Sequence, residues 1–303
     1  MKPIAPMLAV PMTKANITDW NDWMMEEKYD GWRLVVTIPA HDPITAHTRL
    51  RKHSGGTKDQ NDVTGMLPLD VMQGLHALRP RSGWIVLDGE LLALLPDGRI
   101  GTSTDVPRKE LGKRFVAFDV LMTEAGSCMM FSYAQRRNIL ESIVTGVSSK
   151  NVVLADARPC VDTDAVSKFC HAVWDKGGEG LILKNRNARY EAGKRREAFV
   201  KIKKLFTAVC RITGFEATRG TVLQRGQYAK VTLEVVTPAD EHPQTLGHLT
   251  SVKTLDDAEL AAFNKHSHAA THPALGQLLR IEYQDLAADG GLRHPRWDRW
   301  ENE

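Results

Sequence analysis

A lysine that opens a tight-turn sequence is the first group in this chain suited to covalent chemistry. Lys28 begins the pattern Lys-x-Asp-Gly-x-Arg, which ends at Arg33 and includes Gly31, a residue that adopts tight turns easily. Only a neutral amine is a nucleophile, and about one lysine in a thousand is neutral at about pH 7.5. A desolvated pocket or a neighbouring cation such as Arg33 would increase that fraction. The pattern predicts a nucleophilic lysine on a turn at the mouth of a sheet, with an ordinary surface lysine as the alternative.

Acidic side chains set into apolar runs are the second such feature. Asp88 and Glu90 interrupt the strand-like run from Trp84 to Leu92, and Glu179 stands between glycines just before another apolar run. Burying an unpaired carboxylate is unfavourable, so a buried acid requires a cation, a hydroxyl or a metal ion as its partner. A hairpin turn at Asp88 is the alternative explanation for the first pair.

A basic segment lies further along the chain. Between Lys194 and Lys204 there are six Lys or Arg residues and one Glu. Lys201 and Lys203 are two positions apart, so they share one face of a strand. Two ammonium groups on one face repel each other unless an anion lies nearby. The segment therefore predicts an anion contact, with a solvated basic face as the alternative.

Apolar runs and capping residues predict the elements that position these groups. The run Leu34–Ile38 is short and β-branched, which is typical of a buried strand, and Phe115–Leu121 is similar. Three helices are expected, of which we interpret the second and third as structural. They are residues 68–78 with Pro68 in the first turn, a helix capped by Ser132 and Gln135, and a helix beginning near Asp162 or Thr163.

Taken in order, these motifs resemble those of the covalent nucleotidyltransferases, and in particular ATP-dependent DNA ligases of the small phage and bacterial type. The first motif corresponds to Lys28–Arg33, and the resemblance covers essentially the whole chain. The other matched positions are Arg49 in the second motif, Glu90 in the third, Phe118 in the aromatic motif, Glu179 in the fourth, and Lys201 and Lys203 in the fifth. The last motif of the family normally ends in an acidic residue and a lysine. This chain lacks that lysine, so Arg296 or Arg299 would have to replace it.

The resemblance implies a role for each matched residue. Lys28 would be the nucleophile that carries AMP, and Arg33, Lys201 and Lys203 would be the cations that assist catalysis. Glu90 and Glu179 would hold Mg²⁺, which prefers oxygen ligands. The implied nucleotide-binding residues are Glu26, Arg33, Arg49, Glu90, Phe118, Lys201 and Lys203, with Phe115 as the alternative to Phe118 for stacking on adenine.

The implied fold is α+β and has two domains. Residues 1–205 would form a nucleotidyltransferase (ATP-grasp-like) adenylation domain with antiparallel sheets. Residues 206–303 contain short strand patterns and one helical pattern near 255–264, which suit a C-terminal OB-fold β-barrel.

The implied function is the sealing of nicks between a 5′-phosphate and a 3′-hydroxyl in duplex DNA during repair, replication or recombination. ATP and Mg²⁺ are the implied cofactors, and nicked double-stranded DNA is the partner of a protein expected to be a monomer. The predicted contacts to DNA phosphates are Lys194, Arg195, Arg196, Arg219 and Arg225. An RNA ligase, an mRNA-capping-type nucleotidyltransferase and a non-catalytic DNA-binding adaptor are the alternatives.

The composition agrees with a cytoplasmic globular protein. The 303 residues are 42% hydrophobic, and a net charge of +3 does not by itself indicate nucleic-acid binding. Four scattered cysteines without a Cys-x-x-Cys pair argue against a disulfide framework or a zinc site. The apolar stretch at residues 4–12 is short and broken by prolines, so neither a membrane span nor a signal peptide is expected. We therefore expect a cytoplasmic protein of a bacterial or phage-infected cell.

Overall fold

The chain forms two compact units, Met1–Ile202 and Lys203–Glu303. The computed structural model describes residues 2–49, 51–52, 58–59, 61–217, 229–238, 246–249, 275–283, 285–286, 292–293 and 296–301. Among the helices in these ranges, none has both the length and the apolar character needed to cross a membrane.

Strands predominate over helices in the first unit. Its strands are β1 (Leu8–Pro11), β2 (Trp23–Lys28), β3 (Trp32–Pro39), β4 (Thr45–Thr48), β5 (Arg51–Lys52), β6 (Lys58–Asp59), β7 (Trp84–Leu94), β8 (Gly112–Thr123), β9 (Gly126–Ser127), β10 (Val152–Leu154), β11 (Ala157–Pro159), β12 (Gly180–Asn185) and β13 (Arg195–Lys203). Its α-helices are α1 (Leu69–Ala77), α2 (Tyr133–Thr145) and α3 (Thr163–Trp174), and three short 3-10 turns cover Met12–Lys14, Trp20–Asp22 and Thr64–Met66.

Two larger sheets organise this unit. The first has the strand order β1-β13-β12-β2-β11, and the second has the order β10-β8-β7-β3-β4 with β9 paired to β8. Antiparallel pairing was expected, and it joins β2 to β11 and β12, and β3 to β4 and β7. Each sheet also has one parallel pair at its edge, β1 with β13 and β10 with β8, which the sequence patterns did not predict.

The two sheets are stacked between helices. This follows from the two faces of β3, because successive residues of a strand face opposite ways. On β3, Val36 is buried in the core that also contains Leu75 of α1 and Leu140 of α2. Its neighbour Val35 is buried in a separate cluster with Phe199 of the first sheet. Each fully buried apolar side chain of this size contributes about 1.5–3 kcal/mol to stability. Polar groups on the Val35 face of β3 therefore lie between the sheets.

The other face of the first sheet packs against α3. Leu181, Leu183 and Val200 of the sheet are fully buried together with Val166 and Val173 of the helix. Side chains from both faces of each sheet are thus removed from water, and this arrangement accounts for the apolar runs in β3, β7, β8 and β12.

The predicted helix boundaries agree closely with the observed ones. The Ser132 Oγ accepts a hydrogen bond from the Gln135 amide at 3.3 Å, and Gln135 Oε1 accepts one from the Ser132 amide at 3.0 Å, which completes the predicted capping box of α2. Asp162 caps α3 by accepting from the Ala165 amide at 2.7 Å. Pro68 lies immediately before α1 and is not part of its first turn.

The structure corrects the prediction for the turn after Lys28. Lys28 is the last residue of β2 and not a turn residue. Gly31 does not have a positive φ. It is required for space, because a Cβ at Gly31 would lie 2.4 Å from the Leu91 carbonyl oxygen. The suggested hairpin turn at Asp88 is also absent, since Asp88 lies inside the continuous strand β7.

The second unit contains β14 (Phe206–Ala217), β15 (Ala229–Pro238), β16 (Leu246–Leu249), β17 (Leu278–Tyr283), β18 (Asp285–Leu286), β19 (Leu292–Arg293) and β20 (Arg296–Trp300). Five of these strands form a sheet in the order β16-β15-β14-β17-β20, and neighbouring strands pair antiparallel. On β17, Leu279, Ile281 and Tyr283 are buried at alternate positions, as expected for a sheet with one apolar face. The helix predicted near 255–264 lies outside the described residues.

Candidate active site

Strand pairing places Lys28 beside Glu179. In the register of β2 with β12, Lys28 lies opposite Gly180, the residue that follows Glu179. The Lys28 Nζ donates a hydrogen bond to Glu179 Oε2. Both side chains remain about one-fifth exposed, at 20% and 19%. The predicted nucleophile is therefore held by a carboxylate while staying within reach of a ligand.

Strand pairing also aligns Arg33 with the acidic pair of β7. Arg33 lies opposite Glu90 in the register of β3 with β7. Its Nε and Nη2 donate to the two carboxylate oxygens of Asp88 at 3.0 Å and 2.7 Å. Burial disfavours the charged guanidinium, yet the adjacent Asp88 carboxylate raises the pKa of Arg33 above its usual value. Arg33 thus remains a cation, and Asp88 acquires the partner that its burial requires.

Glu90 is half-buried among several charges. Loss of hydration raises the pKa of the Glu90 carboxyl to about 8, even though Lys28 and Arg33 act to lower it and Asp88 and Glu179 act to raise it. A carboxyl with such a pKa holds a proton near neutral pH until a further cation approaches.

The donor set around Lys28 fits a cation that shares its coordination with phosphate oxygens. Within the described residues, His, Cys, Asp and Glu side chains form no group of three or more suited to a metal ion. Glu90 and Glu179 are nevertheless electrostatically coupled. Mg²⁺ usually binds one or two carboxylates together with water and substrate phosphates, so two acidic residues are enough for a site of this kind.

A second ion pair surrounds Glu26, which is only 2% exposed. The Lys184 Nζ lies 2.8 Å from Glu26 Oε2, and the Tyr133 hydroxyl donates to Glu26 Oε1. Burial and the nearby Glu26 carboxylate raise the pKa of Tyr133 well above its usual value, so the hydroxyl remains a donor. Glu26 and Lys28 are two positions apart on β2, so both project from the same face of the strand.

The two candidate stacking rings have different surroundings. Phe115 is fully buried in the core, and its ring occupies the space beside Gly89, where a Cβ would lie 2.4 Å from Phe115 Cζ. Phe118 is half-buried, with the Lys184 Nζ 4.6 Å and the Arg33 Cζ 5.2 Å from its ring centroid. The Phe118 carbonyl also accepts a hydrogen bond from the Lys184 Nζ at 3.1 Å. Phe118 therefore adjoins the charged groups, whereas Phe115 has a packing role.

The remaining predicted residues are distributed along the chain. Arg49 is exposed just beyond β4. Lys201 lies on β13 opposite Pro11, and Lys203 ends that strand as the first residue of the second unit. Among the predicted DNA contacts, Lys194, Arg195 and Arg196 are exposed, whereas Arg219 and Arg225 lie outside the described residues.

Helix α2 was interpreted as structural, and its first turn contacts the candidate residue Glu26. Its first residue, Tyr133, contacts Glu26, and its fully buried Arg136 donates to both carboxylate oxygens of Asp119 at 2.7 Å and 2.9 Å. Sequence reasoning also missed the contacts of Lys184 with Glu26 and of the Tyr190 hydroxyl with Asp88. A lone cation at the end of the apolar run before Asn185 was the available signal for Lys184, but no local pattern identified its partner.

Comparison with known proteins identifies the family. The family model described as "ATP dependent DNA ligase domain" matches residues 6–203. The chain belongs to this family. The resemblance drawn from the motifs is therefore confirmed, and the matched range contains every motif from Lys28 to Lys203.

Two curated relatives match this chain over part of their own length. It is 29% identical over 281 residues to a DNA ligase of Methanosphaera stadtmanae, covering 87% of this chain and 47% of that protein. It is 31% identical over 220 residues to the multifunctional non-homologous end joining DNA repair protein LigD of Mycobacterium tuberculosis, covering 72% of this chain and 26% of that protein. The chain thus spans half or less of the length of these two relatives.

Solved DNA ligase structures share the fold. The ligase domain of M. tuberculosis LigD superposes with a TM-score of 0.55 at 23% identity, covering 98% of this chain and 95% of that one. A structure from an analysis of Lig E DNA ligases, titled as DNA binding with a minimal scaffold, has a TM-score of 0.64 at 18% identity and covers 98% of this chain and 99% of that one.

Proposed function

We propose that this chain is an ATP-dependent DNA ligase that seals nicks in duplex DNA through a lysyl-AMP intermediate. The observation that carries the proposal is the placement of Lys28. It ends a strand with its amine partly exposed, hydrogen-bonded to Glu179. Family membership supplies the reaction class, and this arrangement supplies the nucleophile.

In the first step, the Lys28 Nζ attacks the α-phosphate of ATP, a P–N bond forms and pyrophosphate leaves. The amine must lose a proton to attack, and Glu179 Oε2 is the acceptor already hydrogen-bonded to it. The AMP then passes to the 5′-phosphate of the nick, which restores the free lysine. Finally the 3′-hydroxyl attacks that phosphate, the phosphodiester forms and AMP leaves.

Positioning and cationic stabilisation would supply most of the catalysis, because every step is a transfer at a phosphorus centre surrounded by charged oxygens. Arg33 is held in place by Asp88, and we assign Lys201 and Lys203 to the same task from their motif. When bound, Mg²⁺ would offset phosphate charge, with Glu90 and Glu179 as its protein ligands.

The nucleotide base would lie along the same face of β2. A strand advances about 3.3 Å per residue, so Glu26 lies about 7 Å along the strand from Lys28. An AMP group attached to Lys28 could reach that distance. We assign Glu26 to the adenine edge and the Phe118 ring to stacking on the base, and Arg49 keeps its assignment as a nucleotide contact.

We further propose that the second unit is the OB-fold domain and that residues 1–205 and 206–303 are the functional domains. The antiparallel sheet β16-β15-β14-β17-β20 supports this assignment. The protein would act as a monomer on nicked DNA in the cytoplasm. Arg296 and Arg299 remain the proposed replacements for the final-motif lysine.

Self-adenylylation tests the proposal directly. Incubation with α-³²P-labelled ATP and Mg²⁺ should label the protein, and Lys28→Ala should abolish the label. Lys28→Arg should also be inactive, because arginine stays protonated and cannot attack. The exposed Lys168 on α3 offers a matched control, since Lys168→Ala should leave labelling unchanged. A labelled Lys28→Ala protein would refute the assignment.

The alternatives give different outcomes in the same assay. A DNA-binding adaptor would take up no label, and a capping-type enzyme would prefer GTP. A nick-sealing assay with DNA strands and with RNA strands then separates a DNA ligase from an RNA ligase.

A further inference from the structure

A buried hydrogen-bond chain leads from the backbone near the start of the protein to Arg33. The Tyr190 hydroxyl accepts from the Met7 amide at 2.8 Å and donates to Asp88 Oδ2 at 2.6 Å. Asp88 then accepts from the Arg33 Nε at 3.0 Å and from Nη2 at 2.7 Å. Tyr190 and Asp88 are buried, at 4% and 0% exposure, whereas the Arg33 side chain is 21% exposed. The chain therefore ends at a group that a ligand can reach.

The Tyr190 ring is itself held in place from two sides. The Phe199 ring meets it edge to face, with centroids 6.4 Å apart, and the Arg136 Cζ lies 5.5 Å from its centroid. Backbone and side-chain contacts thus fix the direction in which the hydroxyl points. Because the Met7 amide donates to the hydroxyl oxygen, the hydroxyl proton is directed towards Asp88.

This contact restricts the tilt of Asp88 and, through it, of Arg33. A carboxylate and a guanidinium joined by two hydrogen bonds can still tilt together as a unit unless another group holds the carboxylate. Here Tyr190 occupies one of the two oxygens that also receive the Arg33 fork, so the plane of the pair is defined. The direction of the remaining guanidinium N–H groups follows from that plane, because the fork is planar and rigid.

We propose that Tyr190 is a positioning residue that orients Arg33 through Asp88 for nucleotidyl transfer. The inference rests on the proposed ligase function and adds a residue to it. As a positioning residue, Tyr190 would touch neither nucleotide nor DNA. Its contribution is to hold a cation at the angle from which that cation meets phosphate oxygens.

A purely structural role for Tyr190 is the competing explanation, because its hydroxyl also binds the Met7 amide. The Tyr190→Phe substitution keeps the ring and its packing and removes only the hydroxyl. We expect the single-turnover rate of protein–AMP formation to fall by about 10- to 100-fold, as for other small misplacements of a catalytic group. Val144→Ala opens a cavity in the hydrophobic core between α2 and the second sheet, away from this chain of hydrogen bonds. It should lower the unfolding temperature while retaining the parent rate.

Two further measurements separate positioning from folding. Asp88→Asn leaves the bond between Tyr190 and Met7 in place and should slow adduct formation as much as Tyr190→Phe does. In an Arg33→Lys background the planar fork is already lost, so adding Tyr190→Phe should change the rate by less than about twofold. Thermal unfolding of each variant shows that it is folded at the assay temperature.

The outcomes divide as follows. A parent rate in Tyr190→Phe or in Asp88→Asn, or fully multiplied losses in the double variant, would overturn the positioning role. All rates are compared at a temperature at which thermal unfolding shows Tyr190→Phe and Asp88→Asn to be folded. A parent protein that forms no adduct with ATP would instead refute the proposed ligase function.

Discussion

Glu90 illustrates how a single side chain can report on the site it belongs to. Its carboxyl is half-buried, and burial raises its pKa to about 8 against the influence of Lys28 and Arg33. The acid is therefore destabilised as an anion in the protein without ligand. A divalent cation would reverse this, because it favours the ionised carboxylate.

The raised pKa predicts how stability changes with pH. Between the ordinary glutamate pKa of 4.5 and the folded value of about 8, the folded protein holds a proton at Glu90 that the unfolded chain has lost. The stability due to this proton is fully present below the lower value and is lost as the pH rises through about 8. Denaturant unfolding of the parent and of Glu90→Gln between pH 4.5 and pH 9 should show a smaller decline in the variant. Identical declines would contradict the shifted pKa.

The same proton should compete with Mg²⁺. The Mg²⁺ concentration needed for half-maximal protein–AMP formation should decrease as the pH rises towards about 8, because metal binding releases the proton. Glu90→Gln should require more Mg²⁺ and should lose this pH dependence. An unchanged Mg²⁺ requirement in both Glu90→Gln and Glu179→Ala would argue against these residues as metal ligands.

The buried ion pair of Lys184 with Glu26 gives a further prediction about stability. Lys184→Met should destabilise the protein by about 3–5 kcal/mol, because it leaves a buried carboxylate without its cation. Adding Glu26→Gln should recover much of the loss, since the uncompensated charge is then removed as well. The denaturant midpoints of the single and double variants measure these changes in stability. Equal stability of Lys184→Met with and without Glu26→Gln would contradict the ion pair.

At the scale of elements, α2 connects helix capping to the site. The capping box of Ser132 and Gln135 fixes the first turn of the helix, where Tyr133 meets Glu26 and Arg136 meets Asp119. Helix α3 begins in a similar way at Asp162 but packs on the opposite side of the first sheet. Both are N-caps and should contribute similarly to the free energy of unfolding, but the residues that they position differ.

This difference gives a matched pair of variants. Ser132→Ala and Asp162→Ala should each reduce stability by about 1 kcal/mol through loss of an N-cap. Only Ser132→Ala should also slow protein–AMP formation, because fraying of α2 displaces Tyr133. Equal adduct rates in the two variants would show that the first turn of α2 does not position Glu26.

At the scale of the whole molecule, the proposed ligase function raises the question of how a protein with a net charge of only +3 would hold DNA. The exposed basic residues Lys194, Arg195 and Arg196 are the strongest described candidates, and Arg195 and Arg196 have partners within the protein. Arg196 donates to both Glu191 oxygens at 2.9 Å and 2.7 Å, and Arg195 donates to the Ala9 carbonyl. An exposed ion pair is worth little, so Arg196 can exchange Glu191 for a phosphate at small cost.

Salt dependence of nick binding tests this arrangement. Each phosphate neutralised adds about −0.9 to the slope of log affinity against log salt. The combined Lys194→Ala, Arg195→Ala and Arg196→Ala variant should flatten the slope while keeping self-adenylylation. Glu191→Ala should tighten binding at low salt, because it removes the competitor for Arg196. An unchanged slope in the triple variant, together with unchanged low-salt affinity in Glu191→Ala, would show that the DNA contact lies elsewhere. Lys168→Ala on α3 is the control.

Local patterns in the sequence were sufficient for the motifs, the family and most element types. A capping box is decided by residues close in sequence, so Ser132 could be singled out without coordinates, and the residue types around Lys28 and Glu90 identified those two positions. The crowding at Gly31 is different, because it comes from Leu91, which is distant in sequence. The prediction that a buried acid on β7 needs a cation or a hydroxyl was correct, and Asp88 has both.

Only the tertiary structure decided which groups meet. Lys28 pairs with Glu179, Glu26 with Lys184, and Asp88 with both Arg33 and Tyr190. A strand pattern specifies which face a side chain occupies but carries no information about the partner strand or its register. Phe118 was preferred to Phe115 from its motif, but only packing shows that the Phe115 ring lies beside Gly89 whereas the Phe118 ring adjoins Lys184. Buried ion pairs join residues distant in sequence, since each charge is stabilised by whatever strand pairing brings within hydrogen-bond reach.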